Sequence, residues 1–288
     1  MKPTTSLLWL TAALGANAHP SAHHHLHRAF HEKRDAVFYK AEHKAPLPPA
    51  ATTTTTTAPP PPSSTPAASS SAAATPSSSS SGTYKPFCGG KKKRATAAEI
   101  SYTGNTGAQA GDWGCNIMLI DDDIADQYKY TSVYTNAGSE EHQVVCFNKI
   151  GPTGLIDGFF HSAVTFSLAP GQSQTIAFDD NSQGACAFAP GEVEKTSFGE
   201  YAGSWVEFDF GNESNGAWSG ADCSALVAMS AGLSVPGCQV CHDGTCSTIY
   251  PGGRAVNAYI KGMEAVDGTG LNISPGQVQL QVKVGYSG

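Results

Sequence analysis

Basic residues are scarce through most of this chain. From Ala95 to the end, six Lys and Arg stand against 21 Asp and Glu, a formal charge of −15. A surface of that sign cannot follow a phosphate backbone, so nucleic-acid binding is excluded as a working function. It is repelled by anionic membranes as well. Long apolar runs are also missing: after the first 18 residues nothing approaches the roughly 20 apolar residues of a membrane helix, and no transmembrane segment is expected. There is no G-x-S-x-G elbow, no H-E-x-x-H helix and no phosphate-binding glycine loop. Sustained helical periodicity is rare too. Asp123 to Tyr130 and Ala225 to Ala231 are the stretches that read as helical.

What is present divides the chain into four parts. Residues 1–18 carry an early lysine, an apolar run from Leu7 to Leu14 and Ala16-Asn17-Ala18 as a small-x-small cleavage site, the pattern of a secretory signal peptide. Residues 19–34 hold His19, His23, His24, His25, His27 and His31 before Lys33-Arg34. A copper brace at a new terminal His19 is one reading of that tract, but such a brace needs its histidine packed on the domain. A propeptide removed at the dibasic pair is the reading adopted. Residues 35–83 are largely Ser, Thr, Pro and Ala, with too little apolar surface to offset the entropy of ordering, and read as a disordered, O-glycosylated stalk. The remainder, 84–288, is long enough for one sizeable core.

Within 84–288, short apolar or alternating runs recur between Gly, Pro, Asn and Asp: Asn116 to Ile120, Gln143 to Asn148, Ala163 to Leu168, Gln174 to Phe178, Trp205 to Phe210 and Gln277 to Val284. The spacing predicts an all-β, antiparallel β-sandwich with decorated, disulfide-stapled loops. Trp205 to Phe210 carries the chemistry. Period two puts Val206, Phe208 and Phe210 on a core face and Trp205, Glu207 and Asp209 on the other. Glu207 and Asp209 then lie about 7 Å apart, a span over which two carboxyls can act on a glycosidic bond. Asp222 can join them, and Trp205 or Trp218 can stack on a sugar ring. The candidate catalytic residues are therefore Glu207, Asp209 and Asp222, and the candidate ligand-binding set adds Trp205 and Trp218. An acidic face that is merely solvated is the competing reading, and binding is preferred to cleavage.

Eight cysteines in a secreted chain point to disulfides, though their number alone permits 105 pairings. Cys238-Gln-Val-Cys241-His242 matches a haem-attachment pattern, and Cys238, Cys241, His242 and Cys246 could hold zinc; an oxidising compartment disfavours both. A local Cys241 to Cys246 bridge closing a turn at Asp243-Gly244 is favoured. No metal or cofactor is expected; Asp121-Asp122-Asp123 and Asp179-Asp180 lack the spacing of a calcium cage. Asn212-Glu-Ser214 and Asn272-Ile-Ser274 are glycosylation sequons, expected at the surface.

Asn148-Lys-Ile-Gly-Pro152, Ala177 to Gly184, Phe198-Gly-Glu-Tyr201, Trp205 to Phe210 and Trp218 to Ala225 together resemble the Asp f 4-like family of secreted fungal allergens. That resemblance implies an extracellular or cell-wall location and recognition by host immunoglobulin E, and brings no catalytic mechanism. Phe166 to Ser173, Glu207-Phe208 and Asp222-Cys-Ser224 are similar, more distantly, to thaumatin-like β-sandwiches. By that similarity Glu207 and Asp222 match two acids of a β-glucan cleft, whereas Val227 stands near where a further aspartate belongs. The combined expectation is a secreted protein that binds cell-wall polysaccharide, with a weak endo-β-1,3-glucanase and a non-enzymatic wall or effector protein as alternatives.

Overall fold

The computed structural model describes residues 82–91, 103–108, 111–266 and 268–288. The expected signal peptide, propeptide and nearly all of the stalk lie outside them. Strands β1 (Ile117–Ile120), β2 (Tyr130–Asn136), β5 (Ser173–Phe178), β9 (Cys238–His242), β10 (Thr245–Ile249), β11 (Ala255–Val256) and β13 (Val278–Val284) form one sheet in the order β1-β5-β2-β13-β9-β10-β11. The second sheet runs β12-β8-β7-β6-β3-β4, from β3 (His142–Asn148), β4 (Val164–Leu168), β6 (Ser182–Pro190), β7 (Ser204–Asn212), β8 (Trp218–Ser224) and β12 (Leu271–Ile273). Pairing is antiparallel except between β13 and β2, which run parallel. The fold is the expected all-β sandwich.

The two inner faces make the main core. Val206, Phe208 and Phe210 of β7 meet Tyr130, Ile176, Phe178, Val240 and the alternate residues Val278, Leu280, Val282 and Val284 of β13. The Phe178 ring lies 4.6 Å from that of Phe208 and 4.7 Å from that of Phe210. Each such ring contributes roughly 1.5–3 kcal/mol when removed from water. A polar clamp joins the sheets at one end: Asn116, just before β1, donates to Asn148 Oδ1 at 2.8 Å, and Asn148 Nδ2 donates back to Asn116 Oδ1 at 2.9 Å.

The second face of β7 departs from expectation. All nine of its residues are buried, because the loops after β3 and β6 and the helix α1 (Leu226–Ala231) roof the outer side of the six-stranded sheet. Trp205 packs there, edge to face with Phe147 at 5.1 Å. Period two separates the chemistry of the faces without saying which meets water. Asp123 to Tyr130, expected as helix, splits into a 3-10 turn over Asp122–Gln127 and the start of β2. Gly211 marks a bulge in β7, with φ +58° where a Cβ would strike the Tyr130 hydroxyl.

Four disulfides use all eight cysteines: Cys88–Cys115, Cys146–Cys186, Cys223–Cys238 and Cys241–Cys246. Cys223–Cys238 ties β8 to β9 across the sandwich, and Cys88–Cys115 holds the 82–91 segment on the domain. With every thiol oxidised, neither haem attachment nor a thiolate zinc site is available at Cys238, Cys241 and Cys246. Among the described residues no helix is long and apolar enough to cross a membrane.

Candidate functional site

Glu207 on β7 is paired in register with Asp222 on β8, and Asp209 follows two positions along β7. The three carboxyls therefore share one face. They are not displayed on it: Glu207 is 7%, Asp209 3% and Asp222 0% exposed. Trp205, at 1%, presents no ring to solvent, which removes it as a stacking plate. Trp218 is half-buried at the start of β8.

The seal over Asp222 comes from the segment between β11 and β12. Tyr259 is fixed along β8, its N–H donating to Cys223 O at 2.9 Å while its own carbonyl accepts from Ala225 N at 2.9 Å. Its hydroxyl accepts from Thr269 N at 3.4 Å. Asn257 then clasps Gly270 through both ends of its side-chain amide, Nδ2 donating to Gly270 O at 3.0 Å and Oδ1 accepting from Gly270 N at 2.9 Å. Gly270, at φ +104°, lies so close that a Cβ would stand 2.8 Å from Asp222 Cβ. Burial raises the Tyr259 pKa well above its usual value, and the charges of Asp222 and Glu207 raise it further. On the other side Lys149 Nζ donates to Gln183 Oε1 at 2.6 Å, and Gln183 is the register partner of Asp209. Acid and base catalysis on a glycoside needs room for a ring and a water between two carboxyls. This arrangement is packed instead.

The sequons differ in their surroundings. Asn272 is exposed on β12. Asn212 is fully buried, against expectation, because it ends β7 as a cap: its Nδ2 donates to Asp209 Oδ2 at 2.7 Å and its Oδ1 accepts from Ser214 N at 2.9 Å. An amide so engaged cannot carry a glycan in the folded protein.

Open concave surface lies on the other sheet. A groove of about 590 Å³ runs between the 3-10 turn and the β9–β10 hairpin, bordered by Asp126, Thr131, His242, Gln277, Gln279 and Gln281 among others. Its floor follows from the alternation of β13, whose valines and leucine face the core and whose Gln279, Gln281 and Lys283 face outward. Gln279 is the register partner of Thr131 and Gln281 that of Cys241. The hairpin wall is stiff. Cys241 is bridged to Cys246, its direct cross-strand partner, around the two-residue turn Asp243-Gly244 with φ +46° and +80°. His242 is held by a contact of 3.1 Å between its Nδ1 and Gln279 O. A smaller hollow of about 190 Å³ lies beside the same turn, bordered by His242, Asp243 and Asn272.

The sequence profile of the allergen Asp f 4-like domain matches residues 115–284. The chain belongs to the Asp f 4-like allergen family. Allergen Asp f 4 of Aspergillus fumigatus is 38% identical to it over 202 residues, which are 68% of this chain and 62% of the allergen. Among solved structures, the protein elicitor MoHrip2 from Magnaporthe oryzae superposes with a TM-score of 0.37 at 9% identity, over 55% of this chain and 99% of the elicitor.

In this Asp f 4-like domain the matched region contains both the sealed carboxyls and the groove. Sequence reasoning found the carboxyls and passed over Gln277, Gln279 and Gln281. The signal was available in Val278-Gln-Leu-Gln-Val-Lys-Val284, whose strict alternation marks a strand with one wet polar face.

Proposed function

We propose that this Asp f 4-like protein acts outside the cell, at the cell wall or in the extracellular space, by binding neutral glycan of the β-glucan type without cleaving it. One observation carries the reading: on a strongly acidic domain, the open groove is floored by the exposed carboxamides of Gln277, Gln279 and Gln281. Such groups are uncharged, donate and accept hydrogen bonds, and suit a polyhydroxylated ligand. The Leu7 to Leu14 run with its Ala16-Asn17-Ala18 site, and four disulfides, support export to an oxidising space. The Ser/Thr/Pro/Ala-rich stretch supports a stalk that holds the domain away from a surface. Recognition by host immunoglobulin E is proposed on the allergen relative.

Cleavage has less support, because Glu207, Asp209 and Asp222 lie under packed backbone and side chains. A purely structural wall or effector role remains the alternative if no glycan is bound. The test is retention of the secreted protein on insoluble β-glucan and on chitin, together with reducing-sugar release. Retention without release supports the reading. No retention on either polymer overturns it, and release that is lost in Glu207→Gln replaces it with a glucanase.

A further inference from the structure

Resting on that reading, we infer that the ligand is a single extended, uncharged polysaccharide chain lying along β13, with its far end stacked on Tyr286. Gln277, Gln279, Gln281 and Lys283 are exposed in one line. Alternate residues of a strand stand about 7 Å apart, so the line measures roughly 20 Å, several sugar units long. The 3-10 turn on one side and the bridged hairpin on the other confine a ligand to that direction near Gln277 and Gln281.

Beyond Lys283 the strip ends in aromatic rings. Tyr286 and Tyr250 are half-buried, with centroids 5.9 Å apart. The Arg254 guanidinium lies 3.5 Å from the centroid of the Tyr250 ring, covering one face of it. Lys283 Nζ lies over the Tyr286 ring, 5.5 Å from its centroid, and its exposed, flexible stem lets the amine swing aside for a sugar to take that face. Hydrogen-bonding side chains in a row, followed by an aromatic plate, make a path for a chain of sugars whose last ring stacks face-on.

The rim selects against charge. Asp126 and Asp243 are both exposed at the groove's edge, and the Asp243 side chain is 92% exposed. Two carboxylates there, on a domain already strongly negative, repel uronates and sulfated polymers.

The experiment titrates the secreted protein with soluble β-1,3-glucan oligosaccharides of increasing length, following binding by calorimetry and fold by circular dichroism. Affinity is expected to rise with length until the strip is filled. Gln279→Ala with Gln281→Ala is expected to weaken binding about tenfold or more at every length, as loss of one or two hydrogen bonds implies. Tyr286→Ala is expected to weaken long oligosaccharides about tenfold and leave the shortest unchanged. Lys195→Ala, in the loop over the opposite sheet, serves as a control expected to bind normally. If the wild type binds but the groove variants bind equally well, the placement is overturned and the glycan reading stands. Loss of affinity in Tyr286→Ala that is the same at all lengths overturns the stacked end. If the wild type binds no oligosaccharide and no polymer, the glycan reading itself fails.

Discussion

Glu207 and Asp222 face each other across β7 and β8 with both carboxyls inside the protein. Carboxyls held this way are parts of a packed polar core, whose loss is felt by the fold. Asp222→Ala is expected to lower stability by about 3 kcal/mol, in the range for disrupting a buried polar network. Glycan retention by the folded fraction is expected to stay unchanged. Urea denaturation and the pull-down measure the two effects separately, and equal loss in both would return Asp222 to the binding site.

The disulfides differ in how much of the unfolded chain they restrain. Cys146–Cys186 closes 40 residues and Cys241–Cys246 closes 5. Loop-closure entropy puts their contributions at about 4 and about 2 kcal/mol. Cys146→Ala with Cys186→Ala is therefore expected to destabilise about twice as much as Cys241→Ala with Cys246→Ala, with a further cost because Cys146 and Cys186 sit in the core. Removing the hairpin bridge is expected to loosen the groove wall as well, and to show itself as weaker glycan binding by the fraction that stays folded.

The strands that were legible share a feature. β1, β3, β4, β5, β7 and β13 carry β-branched or aromatic residues in runs bounded by turn signals. β6 reads Ser-Gln-Gly-Ala-Cys-Ala-Phe-Ala-Pro, mostly small residues with no alternation, and owes its place to pairing on both sides with β3 and β7. The candidate site was legible as chemistry and illegible as exposure. Whether Asp222 meets water depends on the β11–β12 segment, whose Asn257 and Gly270 are 13 residues apart and leave no local mark at Asp222. The groove was open to inference from β13, but its walls come from the 3-10 turn near Asp126 and from the β9–β10 hairpin, far apart in the chain.

Modification is expected at one sequon. Asn272 is exposed and Asn212 is a buried cap bonded to Asp209. Peptide mapping of the protein produced through a eukaryotic secretory pathway is expected to find N-glycan on Asn272 alone. Asn272→Gln should abolish the N-linked mass. Asn212→Gln should leave it intact and destabilise the fold by about 1 kcal/mol through loss of the cap. N-glycan on Asn212 in the folded protein would contradict the placement of its side chain.

Alkaline pH should unfold the domain in a way traceable to particular tyrosines. Burial raises the pKa of both Tyr134 and Tyr259 above the ordinary value of 10.0, with neighbouring carboxylates adding to the effect at Tyr259. In the folded protein these phenols stay neutral where the unfolded chain would ionise. Their contribution is therefore complete below about pH 10 and declines above it, by about 1.4 kcal/mol per pH unit for each such group. The two separate by their contacts. The Tyr134 hydroxyl has no hydrogen-bond partner among the described residues, whereas that of Tyr259 accepts from Thr269 N. Tyr134→Phe is expected to leave neutral-pH stability unchanged or raise it by up to about 1 kcal/mol, because it deletes a buried unsatisfied group. Tyr259→Phe should cost about 1 kcal/mol at neutral pH for the lost hydrogen bond. Both variants should make the alkaline decline shallower. Melting curves between pH 7 and pH 11 test this, and a Tyr134→Phe variant with wild-type alkaline sensitivity would mean that the Tyr134 phenol does not hold its proton in the core.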